Sequence, residues 1–312
     1  MTQSVLAPPA IAAATPRVGS PARVSVRRND DVTRLLPRPL LVVIIVVLLA
    51  VVLIPVLYIF FASVNSDTGV ASGQFFPTEF HLDNYLLIWN TVDLGTGLVN
   101  SVIVCGAVAV VCAFVAVGSA YVLVRFVFRG RATYLRALLG LQSIPGTLML
   151  LPVFVLFASV GTALGVPIIG TRGALFVTYL TFALPFSTWV MVTYLRGLPR
   201  ELEEAARIDG ASSWRILTRI VVPLSWPGIV VSAIFAFLLG WNDVLFASVL
   251  TNSDTRTAAV ALQVFGATQE GGAIPLYGQM MAASLVCALP VVVLYLVFQR
   301  YLVGGLTAGG VK

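Results

Sequence analysis

The sequence is poor in the residue types that most often perform chemistry. Its 312 residues include one histidine, His81, and one lysine, Lys312. A single histidine excludes an HExxH metalloprotease site and clustered histidine ligands, and a terminal lysine leaves none for a buried Schiff base. The three cysteines lie in apolar stretches and form neither a CxxC pair nor an even-numbered disulfide framework. We therefore expect no metal site, and we interpret Cys105, Cys112 and Cys287 as packing residues.

Charged residues are also scarce. They make up 10% of the chain, against 59% apolar residues and a mean hydropathy of +0.98. A soluble domain usually carries about 25% charged residues. A surface with so little charge would not stay dispersed in water, so the sequence predicts an integral membrane protein. The net charge of +6 could suggest nucleic-acid binding, but in a membrane chain basic residues also set the orientation.

Six stretches are long and apolar enough to cross a bilayer, which takes about 20 residues of helix. They cover residues 40–64, 98–124, 135–160, 174–195, 228–250 and 280–298. The sequence therefore predicts an all-α fold with six transmembrane helices. We expect these helices to form one transmembrane domain over residues 39–312.

Residues 1–38 precede the first span and are rich in Ala, Pro, Ser and Arg, with no acid before Asp30. The first span is not a cleavable signal, because its apolar run is too long and no small-x-small site follows it. The composition of the leader resembles a transit peptide. A disordered cytosolic tail agrees better with the spans that follow, and we predict that.

The basic residues lie almost entirely on alternate sides of the predicted spans. All but two of the 19 precede the first span, follow spans two and four, or follow span six. Only Arg172 and Arg256 fall in the other loops. Because basic loops stay in the cytosol, we predict a multi-pass membrane protein with both termini, and the loop after span four, in the cytosol.

The spans also contain several prolines and glycines. The strongest candidate for a broken helix is Ile144-Pro145-Gly146, which combines a rigid residue with a permissive one at mid-membrane depth. Two interpretations remain open for such residues. They are commonly tolerated in membrane helices, or they are bends that shape a central path.

The loop after span four has the pattern helix, turn, helix. Pro199 stands where a first helical turn accepts proline, and three glutamates follow it at once, where carboxylates favour a helix N-terminus. Gly210 predicts the end of this helix. Ser212 or Ser213 can cap the next helix, and Pro223 is expected to end it.

The second helix of this loop carries an apolar stripe. Trp214, Leu217 and Val221 recur at helical spacing. The helix pair could lie on the membrane surface, or it could dock into a soluble partner, with the small residues Ala205 and Ala206 permitting close approach. The residues alone favour neither.

The same loop contains a spaced motif. It reads Glu204-Ala205-Ala206, three residues, Gly210, nine residues, Ile220, one residue and Val222-Pro223. This motif resembles the EAA loop of ABC importer permeases, with Val222 where leucine is usual. The longer string over residues 198–212 is similar to the carbohydrate branch of that family.

Three further stretches resemble the same branch. They are SIPGTLMLLP at 143–152, GWND at 240–243 and QRYLVGGLTAGGVK at 299–312. The last is similar to the tail of the smaller, six-span permease of maltose-type systems, although one final glycine is absent. The resemblance covers about residues 39–312 and implies the type I ABC importer permease fold.

The resemblance implies partners and roles. In that family the EAA helix sits in a cleft of a cytosolic ATPase subunit. The implied coupling residues are Glu204, Ala205, Ala206, Asp209, Gly210 and Pro223. A C-terminal tail over 304–312 would contact the ATPase dimer, or remain a frayed glycine-rich end. The implied tail contacts are Leu306, Thr307, Ala308 and Gly309.

The other implied components are a second permease, two ATPase subunits that bind ATP and Mg²⁺, an extracytoplasmic binding protein and a sugar. This chain would hold no cofactor, and no nucleic acid is expected. The binding protein would dock on the outer loops, about 65–97 and 251–278.

Candidates for the substrate path cluster in two places. Asp243 is the one acid deep inside a predicted span, and with Trp241 and Asn242 it offers a carboxylate, a stacking ring and an amide to a sugar. The alternative for Asp243 is a polar clasp between the two permeases. Pro145 and Gly146 are the second group of candidates.

Two other functions remain as alternatives. A self-contained secondary transporter usually shows internal repeats and several intramembrane ionisable groups, and neither is evident. An intramembrane enzyme would need a nucleophile and a base at membrane depth, whereas His81 lies in a predicted outer loop. The chain also lacks a GxxxxGKS or GxxxxGKT nucleotide-binding loop. We therefore predict a transport subunit that is not itself an enzyme.

Overall fold

The computed structural model describes residues 37–267 and 275–307. Within these ranges the regular structure is entirely helical. The chain divides into two compact units, residues 1–54 and 55–312. The predicted leader, residues 1–38, lies almost wholly outside the described residues.

Fourteen α-helices and one π-helical segment occur in the described ranges. They are α1 Arg38–Ser63, α2 Asp67–Ala71, α3 Asn84–Thr91, α4 Leu94–Arg125, α5 Arg131–Gln142, α6 Gly146–Leu164, α7 Arg172–Arg196, α8 Glu201–Ile208, α9 Ser213–Ile216, the π-helical segment Leu217–Val221, α10 Val222–Leu224, α11 Trp226–Trp241, α12 Leu245–Leu250, α13 Ala258–Ala267 and α14 Tyr277–Thr307.

Five helices are long and apolar enough to cross a membrane, namely α1, α4, α6, α7 and α14. A sixth span results if Ser213–Leu224 and Trp226–Trp241, which meet at an angle of 77°, are counted together. The predicted number of six therefore depends on this bent pair. The predicted third and fifth spans are each two helices, because the chain breaks at 143–145, as Pro145 predicted, and again at 242–244.

The helices α4 and α7 run in the same direction, side by side. Near their starts, Arg172 Nε donates to Asn100 Oδ1 at 2.7 Å. At their ends, Arg125 Nη2 donates to the backbone oxygen of Leu198 at 3.4 Å. We call the end that contains Arg125, Arg196 and the loop 198–223 the basic end.

Helix α11 runs the other way and completes a three-helix core. Its first residues lie against the end of α7, because a Cβ on Gly228 would be 2.8 Å from the Tyr194 ring. A Cβ on Gly240 would be 2.7 Å from Tyr179 and 3.0 Å from Cys105 Sγ. Small residues allow membrane helices to approach this closely. The two glycines therefore determine how tightly α11 packs.

The opposite end of the bundle is closed by short helices that the sequence did not predict. Helices α2 and α3 lie in the predicted outer loop 65–97, and α13 lies in the loop 251–278. Fully buried Asn100 donates from Nδ2 to the backbone oxygens of Asp254 and Arg256, at 3.0 and 2.9 Å. These bonds hold the loop before α13 against the start of α4. All three cysteines are buried and unpaired, as their apolar surroundings predicted.

Candidate functional site

The first helix of the predicted coupling loop, α8, begins and ends through local chemistry. Glu201, Glu203 and Glu204 occupy its first turn, where negative charge is stabilised. Pro199 lies two residues before the first helical residue, so the prediction that it sits in the first turn is wrong. Gly210 has φ +80°, a left-handed conformation that favours glycine, and it follows the helix as predicted.

The second half of the loop differs from the prediction. Ser212 caps α9 by accepting the Arg215 amide at 3.4 Å, but Pro223 does not end the helix. Instead it lies within α10, and the chain bends after Leu224. Because proline has no N–H for the Arg219 carbonyl, the preceding turn is π-helical and the Val222 amide bonds to the Leu217 carbonyl.

The π-helical segment also changes which side chains face the core. Ile216 and Val221, five residues apart, are 0% and 1% exposed, whereas Trp214 is 73% exposed. The predicted stripe of Trp214, Leu217 and Val221 is therefore wrong at its first member. A five-residue repeat matches the i→i+5 hydrogen bonding of a π-helix. The predicted stripe was based on the residue spacing of a regular α-helix.

The predicted coupling residues lie mainly on one exposed turn. Glu204, Ala205, Asp209 and Gly210 are exposed and form what we call the coupling surface. Ala206 is half-buried and packs on the apolar cluster at the basic end, and Pro223 is exposed beyond the turn. Two large apolar residues of the same loop that were not predicted are also exposed. Ile208 is 87% exposed, and Trp214 is 73% exposed.

One acid in the same turn points the other way. Glu203 is buried, and its Oε1 accepts Arg125 Nε at 2.7 Å. The side chains of Arg125 and Glu203 are 4% and 6% exposed. The sequence did not identify this pair, which joins residues far apart in the chain.

The break between α11 and α12 contains the predicted polar group. The Tyr179 hydroxyl donates to Asp243 Oδ2 at 2.9 Å, and the Ala247 amide donates to the same oxygen at 3.0 Å. Asp243 therefore clasps α7 and caps α12 within this chain. These contacts of Asp243 lie within one chain, whereas the alternative interpretation of the sequence placed Asp243 in a polar contact between two permeases.

The neighbouring ring is mostly buried in this structure. Trp241 is 7% exposed and lies parallel to Phe237, with ring centroids 5.3 Å apart. Asn242 is exposed, and its Nδ2 donates to the Leu238 carbonyl at 3.0 Å. Of the three path candidates in this segment, the amide and part of the carboxylate are accessible.

Two cavities open on either side of this break. A cavity of about 660 Å³ has polar lining from Gln142, Ser187, Asn242 and Asp243, beside the aromatic pair Phe186 and Phe235. A cavity of about 740 Å³ is lined by Trp241 of α11, by Asn242 in the break and by residues of α13 and α14. Asn242 lines both. Gln142 and Ser187 were not predicted, because nothing local distinguishes them from other polar residues in spans.

Pro145 and Gly146 lie near the same break. Pro145 precedes α6 and is exposed, and Gly146 is its first residue. A Cβ on Gly146 would contact the Phe246 ring of α12 at 3.7 Å. The two path candidates from the third span are thus near those from the fifth.

The predicted ATPase-contacting tail is only partly described. Leu306 and Thr307 lie in the last turn of α14. Ala308 and Gly309 lie outside the described residues.

Comparison with known proteins adds a family match. The family described as "Binding-protein-dependent transport system inner membrane component" matches residues 110–307. The trehalose transport system permease protein SugB of Mycobacterium tuberculosis is 32% identical over 83% of this chain and 92% of its own length. The trehalose/maltose transport system permease protein MalG of Thermococcus litoralis is 31% identical over 89% of this chain and 98% of its own. The diacetylchitobiose uptake system permease protein NgcG of Streptomyces coelicolor is 32% identical over 83% of each chain.

A solved structure shows the fold. One chain of a bacterial ABC transporter involved in the import of the acidic polysaccharide alginate aligns with a TM-score of 0.71 at 20% identity, covering 88% of this chain and 98% of that one. The predicted all-α permease fold is confirmed by this match.

Proposed function

This chain belongs to the binding-protein-dependent transport system inner membrane component family, and from that premise we propose that it is a permease subunit of an ATP-driven sugar importer. The resemblance drawn from the sequence motifs is confirmed by the family match. The relatives are permease proteins of transport systems, so the prediction of a transport subunit rather than an enzyme is confirmed too.

The observation that carries the proposal is the coupling surface. Glu204, Ala205, Asp209 and Gly210 are exposed on a short helix and its turn, at the end of the bundle where α4 and α7 finish. Ala205 has a small side chain and Gly210 leaves open space around its Cα. A partner with a cleft can therefore approach the backbone closely. We propose that this partner is an ATPase subunit, which binds ATP and Mg²⁺.

The complete importer would contain this chain, a second permease, two ATPase subunits and an external binding protein. Closure of the ATPase dimer on ATP would draw the two coupling surfaces together and rotate the spans between inward- and outward-facing arrangements, as rigid-body switching does. The last residues of the chain, including Leu306, Thr307, Ala308 and Gly309, would contact the ATPase dimer. The binding protein would dock on the segments 65–97 and 251–278.

We propose a di- or oligosaccharide as the substrate, because trehalose, maltose and diacetylchitobiose appear in the names of the relatives. The cavity with Gln142, Asn242 and Asp243 supports this choice, since it offers amides and a carboxylate to hydroxyl groups beside the Phe186 and Phe235 rings. Sugar recognition uses such polar groups next to apolar faces. Pro145 and Gly146 would allow α5 and α6 to move independently beside this path.

The protein is a multi-pass membrane protein. We propose that it resides in the bacterial cytoplasmic membrane with the basic end in the cytosol. This orientation follows the distribution of arginine, and it would place the coupling surface where ATP is available.

The experiment is co-expression of the chain with the products of its chromosomal neighbours, followed by purification in nanodiscs. ATP hydrolysis is measured with trehalose, maltose or diacetylchitobiose and the binding protein. We expect one sugar to stimulate hydrolysis and Glu204→Lys to abolish the stimulation. Glu201→Lys, the same change at another exposed position of α8, is the control and should retain most of it.

Two results would count against the proposal. If no ATPase co-purifies with the wild-type chain, the self-contained transporter becomes the better hypothesis, and uptake by the chain alone in liposomes would support it. If Glu204→Lys and Glu201→Lys reduce hydrolysis equally, the coupling surface is placed wrongly.

A further inference from the structure

Arg125 and Glu203 form an unusual contact for this chain. Within residues 37–267 and 275–307 it is the one ion pair between an arginine and a carboxylate, with Nε and Oε1 2.7 Å apart. Both side chains are almost completely buried. Most other arginines at the basic end are exposed, as basic residues in a loop usually are.

The pair joins two elements that have different roles. Arg125 is the last residue of α4, the longest helix of the three-helix core, and Glu203 lies in the first turn of α8. Contacts to the backbone reinforce the junction in both directions. Arg125 Nη2 donates to the Leu198 carbonyl at 3.4 Å, and Arg200 Nη2 donates to the Val124 carbonyl at 3.5 Å.

The position of Glu203 within α8 connects the coupling surface to α4. Its neighbour Glu204 is exposed on the coupling surface, whereas Glu203 is buried against α4. Consecutive residues on an α-helix point about 100° apart. One short turn therefore presents Glu204 to the exterior and holds Glu203 against the three-helix core.

Stability alone does not require charges at this position. The surrounding cluster is apolar and includes Val124, Leu195 and Ile216. Replacing a buried ion pair with apolar residues of similar volume is often neutral or stabilising. What the ion pair adds is direction, because a charge-assisted hydrogen bond of 2.7 Å holds only while Nε and Oε1 keep their distance and alignment.

We propose that the Arg125–Glu203 pair is the link that transmits movement of the coupling surface to α4 and hence to the three-helix core. This inference rests on the proposed function. Arg125 and Glu203 act as positioning residues, since neither lies on the coupling surface. The pair lets α8 pull α4 as well as push it when the ATPase subunits close and open.

The test uses the reconstituted complex in proteoliposomes, with the sugar among trehalose, maltose and diacetylchitobiose that stimulates the wild type. The main variant is the double substitution Arg125→Met and Glu203→Leu, which removes both charges and keeps the volume. We expect it to assemble with the ATPase and to hydrolyse several-fold more ATP per sugar transported than the wild type, because α4 no longer follows the coupling surface in each cycle. Glu201→Gln is the control and should keep the wild-type ratio.

The ratio separates transmission from packing, because a merely structural pair would change the yield of complex and not the ATP used per sugar. A wild-type ratio in the double variant would overturn the proposal. Failure of both the double variant and Glu203→Gln to assemble would also overturn it, by showing a structural role. The proposed function is tested separately, since it fails only if the wild-type complex shows no sugar-stimulated hydrolysis.

Discussion

Helices α6 and α7 are neighbours in sequence and both could cross a bilayer, yet they relate to the rest of the protein differently. Helix α6 is the more apolar of the two, yet only 6% of its 18 most apolar consecutive residues are buried, against 50% of the corresponding residues of α7. Leu148 and Leu151 of α6 are 66% and 69% exposed. Buried positions of α7 include Thr178, Ser187 and Thr188.

This difference reverses the rule for proteins in water. Lipid solvates an apolar side chain about as well as a protein core does, so burial is not driven by hydrophobicity. Helices associate where small and hydroxyl residues permit close contact and hydrogen bonds. In this chain the polar residues within α7 mark the protein-facing helix, and the more apolar α6 leaves most of its surface exposed.

The largest effect is expected from truncating a leucine in each helix. Leu175 of α7 is 0% exposed and Leu151 of α6 is 69% exposed. We expect Leu175→Ala to destabilise the purified chain toward the lower end of about 2–5 kcal/mol, because the cavity in a packed site remains while the transfer of apolar groups from water contributes little. Leu151→Ala should stay within about 0.5 kcal/mol. Unfolding in mixed detergent micelles measures both, and equal losses would contradict the division between the two helices.

A smaller effect is expected from enlarging a glycine in the core. Gly240→Val should cost about 1–3 kcal/mol through overpacking, since the new Cβ would meet the Tyr179 ring at 2.7 Å. Gly118→Ala in α4 is the control, because nothing lies within 4 Å of its added Cβ. Retention of monodisperse protein after heating reports both. A tolerant Gly240 would mean that α11 is free to move away from α7.

The smallest effect tests the polar contact itself. Tyr179→Phe removes the hydroxyl that donates to Asp243, and we expect a loss of about 1 kcal/mol, as for a typical hydrogen bond. The loss is limited because Asp243 keeps the Ala247 amide as a donor. Tyr295→Phe in α14, where the ring is 51% exposed, should change stability little. The same thermal measurement compares them, and equal shifts would show that the clasp contributes nothing.

The sequence predicted what depends on local chemistry. Spans follow from apolar length, and Gly210 ends α8 because it alone there adopts a positive φ without strain. The break at Pro145 follows from a missing amide donor. These features need no knowledge of distant residues.

Features that depend on tertiary contacts were missed. The burial of Glu203 depends on Arg125, 78 residues earlier in the chain, so Glu201, Glu203 and Glu204 looked equivalent in the sequence. The burial of Trp241 depends on its packing in one cluster with residues of α4, α7 and α12. The π-helical segment has a local cause, Pro223. The apolar residues before it were nevertheless expected to follow the spacing of an α-helix.

The exposed indole of Trp214 makes the basic end optically distinguishable. It is the most exposed of the five tryptophans, at 73%, so its fluorescence is open to quenching by aqueous iodide. In vesicles, the emission lost in Trp214→Phe comes from one face of the membrane only. Iodide added outside then reports which way the chain was inserted, and protection from iodide reports when a partner covers the turn.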